Sequence, residues 1–309
     1  MLVLDADDVA RLLEMRDAIN IVAEAVSAIS KGKGTYPLRL HVPLARGDAL
    51  VMPGYDGDAH FGTKIVTVHP GNAALGKPGT RASYILTDAR DGEPKLLCDG
   101  TALTALRTAA LTGLATRRLA RRDAKVLALF GAGLQAMRQL EAMLAVRPIE
   151  VVRVVGRSPE RLERFVNEAR AHFPGVRIES SDVRGAVDGA DLVVAATTSR
   201  TPVLDGDAIM PGAHVNAIGA YRPDVRELDV KIFARGRLVV DQRDAVCKEA
   251  GDVIAAIQAG CVNVNEIAEL GELAENARRS EEEITIFKTV GHAALDLFTA
   301  AELLRRSAA

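Results

Sequence analysis

The strongest constraint in this chain is the stretch KVLALFGAGLQAMRQLEAM, Lys125 to Met143. An apolar run, Val126 to Phe130, leads into Gly131-Ala132-Gly133-Leu134-Gln135-Ala136, and a helical pattern follows at once. This is the strand, tight turn and helix start of a dinucleotide-binding βαβ unit. Gly131 permits the turn and Gly133 lets the backbone approach a pyrophosphate. Ala136 keeps the helix close to the sheet, and the N–H groups around Leu134 and Gln135 can then face the phosphates. The motif begins only at residue 131, so the preceding residues are expected to build a separate part that holds the substrate.

From Lys125 onward, strand-like and helical stretches alternate. Strands are expected at Val126–Phe130, Ile149–Val155, Val176–Ile178, Leu192–Ala196, His214–Ile218 and Leu238–Val240, with helices from Leu134 to about Val146 and from Arg161 to about His172. That succession predicts an α/β fold, a Rossmann-type doubly wound parallel sheet. The first hundred residues read differently: a helix from Arg16 to about Ser30, then short extended pieces punctuated by prolines and suited to antiparallel pairing. A helix from Asp99 to Arg118 joins the two parts. Ile284–Lys288 reads as a strand, and Thr289 to about Arg306 as a last helix able to return to the first part. The division expected is a discontinuous α+β substrate-binding and dimerisation domain, residues 1–115 and 290–309, around a dinucleotide domain, residues 116–289.

A net charge of −2 and 4% aromatic residues with no tryptophan give no footprint for nucleic acid. Apolar runs fall short of a membrane span, and the opening residues do not read as a signal peptide. Cys98, Cys247 and Cys261 are far apart, and the histidines lack ligand spacing, so neither a disulfide framework nor a metal site is expected. A cytoplasmic setting is the expectation.

About 20 residues past the glycines, NAD enzymes place an acidic residue on the ribose. This chain has Gly156-Arg157-Ser158 there. Arginine with a neighbouring hydroxyl attracts a 2′-phosphate, which favours NADP(H) and leaves NAD(H) as the alternative; Arg157 can also be a plain surface residue. Arg107 is the single charge in the helix centre Ala102–Ala115. It needs an anionic partner, either an internal carboxylate or a substrate carboxylate gripped by its fork. Arg39 and Lys64 lie in short extended segments of the same part.

The segments GTKIVTVHPGN (Gly62–Asn72), DARDGEPKLLCDGTALTALRTAALTGLA (Asp88–Ala115), FGAGLQA, GAYRPDVRELD (Gly219–Asp229) and ITIFKTVG (Ile284–Gly291) occur in order along nearly the whole chain. Together they resemble the ornithine cyclodeaminase/mu-crystallin family. The resemblance implies an NAD(P)-dependent protein that handles amino acids or their imines, and a homodimer formed through the first domain. It implies that Arg39, Lys64 and Arg107 hold a substrate carboxylate, with Thr80, beside Gly79, as a further candidate. It also places Thr197, Thr198, Lys288 and Thr289 near the cofactor, though Thr289 can equally be a helix N-cap.

One departure stands out. Where ornithine cyclodeaminases carry an aspartate in the Gly219–Leu228 segment, this chain has Tyr221; Asp224 falls at a different position. The expectation is therefore reduction of a small cyclic α-imino acid, of the pyrroline- or piperideine-2-carboxylate type, or an amino-acid dehydrogenase activity. Lys64 and Tyr221 are the candidate proton donors to the imine nitrogen. The alternatives are ornithine cyclodeamination and a non-catalytic NADPH-dependent binding protein of the crystallin type.

Overall fold

The computed structural model describes residues 1–308, whose contacts divide into two units: Met1–Leu111 together with the residues from Gly291 onward, and Thr112–Val290.

The first unit has strands β1 (Leu2–Leu4), β2 (Leu40–Leu44), β3 (Gly47–Tyr55), β4 (His60–Val68), β5 (Thr80–Asp88) and β6 (Pro94–Asp99), with helices α1 (Ala6–Leu12), α2 (Met15–Ser30) and the start of α3 (Gly100–Leu119). The sheet order is β1-β6-β5-β4-β3-β2, antiparallel except for the β1–β6 pair. β2 is an edge strand and can carry Pro43. Pro53 falls beyond the end of the β2–β3 register, where a missing N–H costs no ladder bond.

α2 buries Met15, Ala18, Ile19, Val22, Ala25 and Val26, a helical stripe of apolar residues. It packs on the C-terminal helix Ala293–Ser307, which also lies on β3 and β4. That helix starts four residues later than the sequence pattern suggests. Its N-cap is His292, whose Nδ1 accepts from the Ala294 N–H, so Thr289 is not the cap. α3 begins sharply because the Asp99 carboxylate accepts from the N–H groups of Thr101 and Ala102, both at 2.8 Å.

The second unit has strands β7 (Val126–Phe130), β8 (Val151–Val155), β9 (Arg177–Ser180), β10 (Leu192–Ala195), β11 (His214–Ala217), β12 (Gly236–Val240), β13 (Ala268–Glu269) and β14 (Ile284–Lys288). They form one parallel sheet in the order β13-β12-β14-β11-β10-β7-β8-β9. Helices α4 (Leu134–Val146), α5 (Pro159–His172), α6 (Val183–Val187), α7 (Val230–Arg235), α8 (Arg243–Glu249) and α9 (Gly251–Gln258) connect them. The chain winds outward from β7 to β9, then restarts at β10 on the other side. The reversal between β7 and β10 is the switch point at which doubly wound sheets open a crevice for ligands. β14 enters between β11 and β12, and all five of its residues are buried. Arg147 closes the end of α3: its guanidinium donates to the carbonyls of Thr116, Arg117, Ala120 and Arg121 at 2.6–3.0 Å. Among the described residues, no helix is long and apolar enough to cross a membrane.

Candidate active site

In the first unit, Lys64 sits mid-strand on β4, between Met52 of β3 and Tyr84 of β5, and its side chain is 1% exposed. A lysine there needs an anion, and the C-terminal helix supplies one. The Lys64 Nζ donates to both oxygens of Asp296, at 2.9 and 2.8 Å, and the Arg107 Nε donates to Oδ1 at 2.9 Å. Asp296 is fully buried. One carboxylate therefore bridges two buried cations, and the trio keeps a surplus positive charge.

Arg107 thus has the internal carboxylate partner that was one of its two expected roles. Its Nε is spent on Asp296, whereas Nη1 and Nη2 lie against the Gly291 turn, where an added Cβ would come within 2.8 and 3.1 Å of them. Gly291 has φ +83°, so glycine is required by both backbone and space. Arg39 reaches the same turn, its Nη2 donating to the Gly291 carbonyl at 2.9 Å. Arg39, Lys64 and Arg107 therefore converge, although they lie far apart in the sequence.

Burial, reinforced by the Arg107 charge, pulls the Lys64 ammonium down to about 7 against the opposing effect of Asp296. Burial pushes Asp296 up, but Arg107 and Lys64 outweigh it and hold the carboxyl below its ordinary value. His292 is drawn down to about 4 by burial, so it is neutral near pH 7. Its ring meets Tyr36 edge-on at 5.2 Å. The hydroxyls of Tyr36 and Tyr84 are both buried without a hydrogen-bond partner, and burial raises Tyr36 to about 12. Such groups are costly in a finished core and ordinary at a place that receives a polar ligand.

Thr80 does not belong with this cluster. It is exposed at the start of β5, opposite Val68, four residues along β4 from Lys64, or about 13 Å at the rise of a strand.

In the second unit, Gly131 has φ +113°, and a Cβ on it would sit 2.4 Å from the Ala196 carbonyl oxygen. Only glycine fits. Gly133 is the N-cap of α4, offers no side-chain cap, and a Cβ there would meet nothing within 4 Å. The first turn of α4 has no acidic residue. Ala136 is fully buried and Leu134 is exposed, while the Gln135 Oε1 is buried without a partner. This is an open cradle at a helix N-terminus, and it fits a pyrophosphate. At the end of β8, Arg157 is exposed, and Ser158 caps α5 by accepting from the Arg161 N–H.

Thr197 is committed to Glu227: its N–H and Oγ1 donate to Oε1 at 2.6 and 2.8 Å, and the Gly219 N–H donates to Oε2 at 2.5 Å. Glu227 therefore clips the loop after β10 to the loop after β11. Burial raises its pKa, opposed by Lys288 and these hydrogen bonds. Asp252 accepts from the N–H groups of Glu227 and Leu228, and its Oδ2 lies 3.0 Å from the Lys288 Nζ.

Lys288, expected to border the cofactor, is instead fully buried and paired with Asp252, because β14 is covered on both faces. Thr289 is likewise turned inward, its Oγ1 donating to Asp241. Thr198 is exposed. The half-buried Tyr221 packs on the apolar core of its unit, and Asp224 is exposed and paired with Arg200 and Arg222.

Comparison with known proteins decides the family. The profile of the ornithine cyclodeaminase/mu-crystallin family matches residues 1–309. The chain belongs to this family. It is 37% identical over 315 residues to a Delta(1)-pyrroline-2-carboxylate reductase of Bacillus cereus, covering 99% of this chain and 97% of that protein. It is 37% identical over 283 residues to the ketimine reductase mu-crystallin of Mus musculus, covering 89% and 87%. Among solved structures, the Delta(1)-pyrroline-2-carboxylate reductase of Thermococcus litoralis, in complex with NADH and L-proline, superposes with a TM-score of 0.95 at 36% identity, covering 100% and 98%.

For this family member, sequence reasoning missed Asp296, His292, Tyr36, Tyr84, Glu227 and Asp252. Asp296 did leave a signal: it is the lone charge in the apolar run from Ala293 to Ala301.

Two substitutions test these frameworks. Asp296→Asn leaves two buried cations without a counter-charge, and a loss of about 3–5 kcal/mol is expected in urea unfolding. Glu227→Gln sets an amide donor against a backbone N–H, and a loss of about 2 kcal/mol is expected by the same measurement.

Proposed function

We propose that this family member reduces a small cyclic α-imino acid, of the pyrroline- or piperideine-2-carboxylate type, with NADPH preferred over NADH. The observation that carries this reading is Lys64: a buried ammonium with a pKa near 7, set among arginines suited to a carboxylate. A group that titrates near the working pH is best able to pass a proton.

Arg107 and Arg39 orient the substrate through its carboxylate. Arg107 uses its Nη edge, since its Nε is held by Asp296. Lys64 gives its proton to the imine nitrogen as the carbon accepts hydride, and Asp296 steadies the ammonium before transfer. The product is the cyclic amino acid, and Lys64 regains a proton from water. Residues Gly131, Gly133, Leu134, Gln135 and Ala136 hold the pyrophosphate, and bound dihydronicotinamide supplies the hydride. Arg157 and Ser158 recognise the 2′-phosphate, with no carboxylate between Val155 and Pro159 to repel it. The relatives named for pyrroline-2-carboxylate and ketimine reduction support this reading. Ornithine cyclodeamination is disfavoured by Tyr221, which cannot supply a carboxylate.

The assembly we infer is a homodimer through the first unit. Every residue of edge strand β2 is exposed, including Leu40, Val42 and Leu44. A bare apolar edge of this kind is ordinarily covered.

The deciding experiment is a substrate panel with both reduced cofactors. Net NADPH consumption with a cyclic imino acid is expected, and ammonia release from ornithine with catalytic NAD⁺ would overturn the proposal. The pH profile follows from Lys64. The ammonium is the donor, so imine reduction declines as pH rises through about 7, while amino-acid oxidation, which needs the free amine, increases. A kcat/KM profile in both directions checks this, and Lys64→Met removes the limb. Arg157→Ala is expected to raise the KM for NADPH about tenfold while leaving NADH nearly unchanged, as loss of one charge-assisted contact implies.

A further inference from the structure

The parallel sheet carries a cluster of arginines at the strand ends opposite the glycine turn. A cavity of about 500 Å³ is lined by Arg118, Arg121, Arg122, Arg278 and Arg279, with Asp123 and Glu281 as the acidic members. The segment Arg118–Asp123 precedes β7, and Asn276–Glu281 precedes β14, so the cavity opens at the N-terminal ends of the strands. The length of β7, about 17 Å, separates it from the dinucleotide turn.

Three of these arginines have carboxylate partners. Arg118 pairs with Glu275 at 3.1 Å, Arg121 with Asp191, and Arg279 with Glu283 at 4.0 Å. The other two do not pair with a carboxylate among the described residues. Arg122 donates to the Asn276 side-chain oxygen at 3.2 Å, and Arg278 donates only to the carbonyls of Leu119, Gly212, Glu281 and Glu283. The Nε groups of Arg121 and Arg278 are buried without an acceptor. Asp123 and Glu281 are exposed, so water screens them more than it screens the half-buried Arg278. Arg122 and Arg278, neither hydrogen-bonded to a carboxylate, thus line one cavity wide enough for a small molecule. Arginine forks suit phosphate oxygens above other anions.

We propose that this cavity is a second anion site of the protein, taking a phosphate-bearing small molecule such as a mononucleotide or a free pyrophosphate. It is distinct from the dinucleotide turn and does not depend on the imine-reductase reading. A dianion there neutralises Arg122 and Arg278 together and ties the segment before β7 to the segment before β14.

The test is calorimetric titration of the full chain, saturated with NADH, with inorganic pyrophosphate and with AMP at constant ionic strength. Binding of at least one is expected, weakened about tenfold or more by Arg122→Ala and unaltered by Arg157→Ala, in keeping with loss of one charge-assisted contact. Tighter AMP assigns a nucleotide, and tighter pyrophosphate a free polyphosphate. Arg122 is exposed, so an unchanged unfolding midpoint without ligand verifies that its variant is intact. Absence of binding by both probes overturns the proposal. So does binding that Arg157→Ala weakens and Arg122→Ala does not, or equal binding of succinate.

Discussion

The first unit depends on one carboxylate. Asp296 is buried on a helix, and its two oxygens engage a lysine from the middle of a sheet and an arginine from a second helix. An isolated charge in a packed interior costs several kcal/mol, and three in contact persist only when their geometry satisfies each other. The surplus charge of the trio has a chemical consequence. With two cations for one anion, the ammonium is the member whose proton is most easily lost, because a guanidinium does not deprotonate in proteins. The arrangement that makes the core tolerable is thus the same arrangement that makes Lys64 a usable acid.

The second unit uses buried charge differently. Lys288, Asp252 and Glu227 lie beneath the C-terminal rim of the parallel sheet; Glu227 and Asp252 Oδ1 accept from backbone N–H groups of rim loops, and Asp252 Oδ2 faces the Lys288 ammonium. Loops beside a cofactor cradle cannot be packed on both sides, so fixing them from below by hydrogen bonds is the remaining means. The glycine turn follows the same logic. Gly131 is forced by contact with Ala196, while the position of Gly133 is kept open.

Much of the second unit was legible because its signals are local. Val126–Phe130, Leu134–Val146 and Ile284–Lys288 fall where apolar runs, glycines and helical period put them. The short β1 and α1 offered too few residues for a period to show. The cations of the first unit were visible as charges out of place, but not their partner, since nothing local links position 64 or 107 to 296. Lys288 was misjudged for a related reason: the FKTVG segment resembles a cofactor border, yet central placement in the sheet turns the side chain inward. Thr80 was a candidate by resemblance alone, and its register opposite Val68 sets it well along the strand from Lys64. A pattern reports which face a residue takes, and only the fold reports how far along that face it lies.

The separation of Asp296 from its partners also orders the making of the protein. Lys64 and Arg107 leave the ribosome well before the helix that neutralises them, with the whole of Thr112–Val290 synthesised in between. Until that helix docks, the nascent first unit holds two cations that its core cannot bury. Those positions must stay hydrated, and the sheet around them cannot close. The dinucleotide unit is complete earlier and free of that debt. Folding during synthesis should therefore run from the inserted unit outward, with the buried ion cluster formed last.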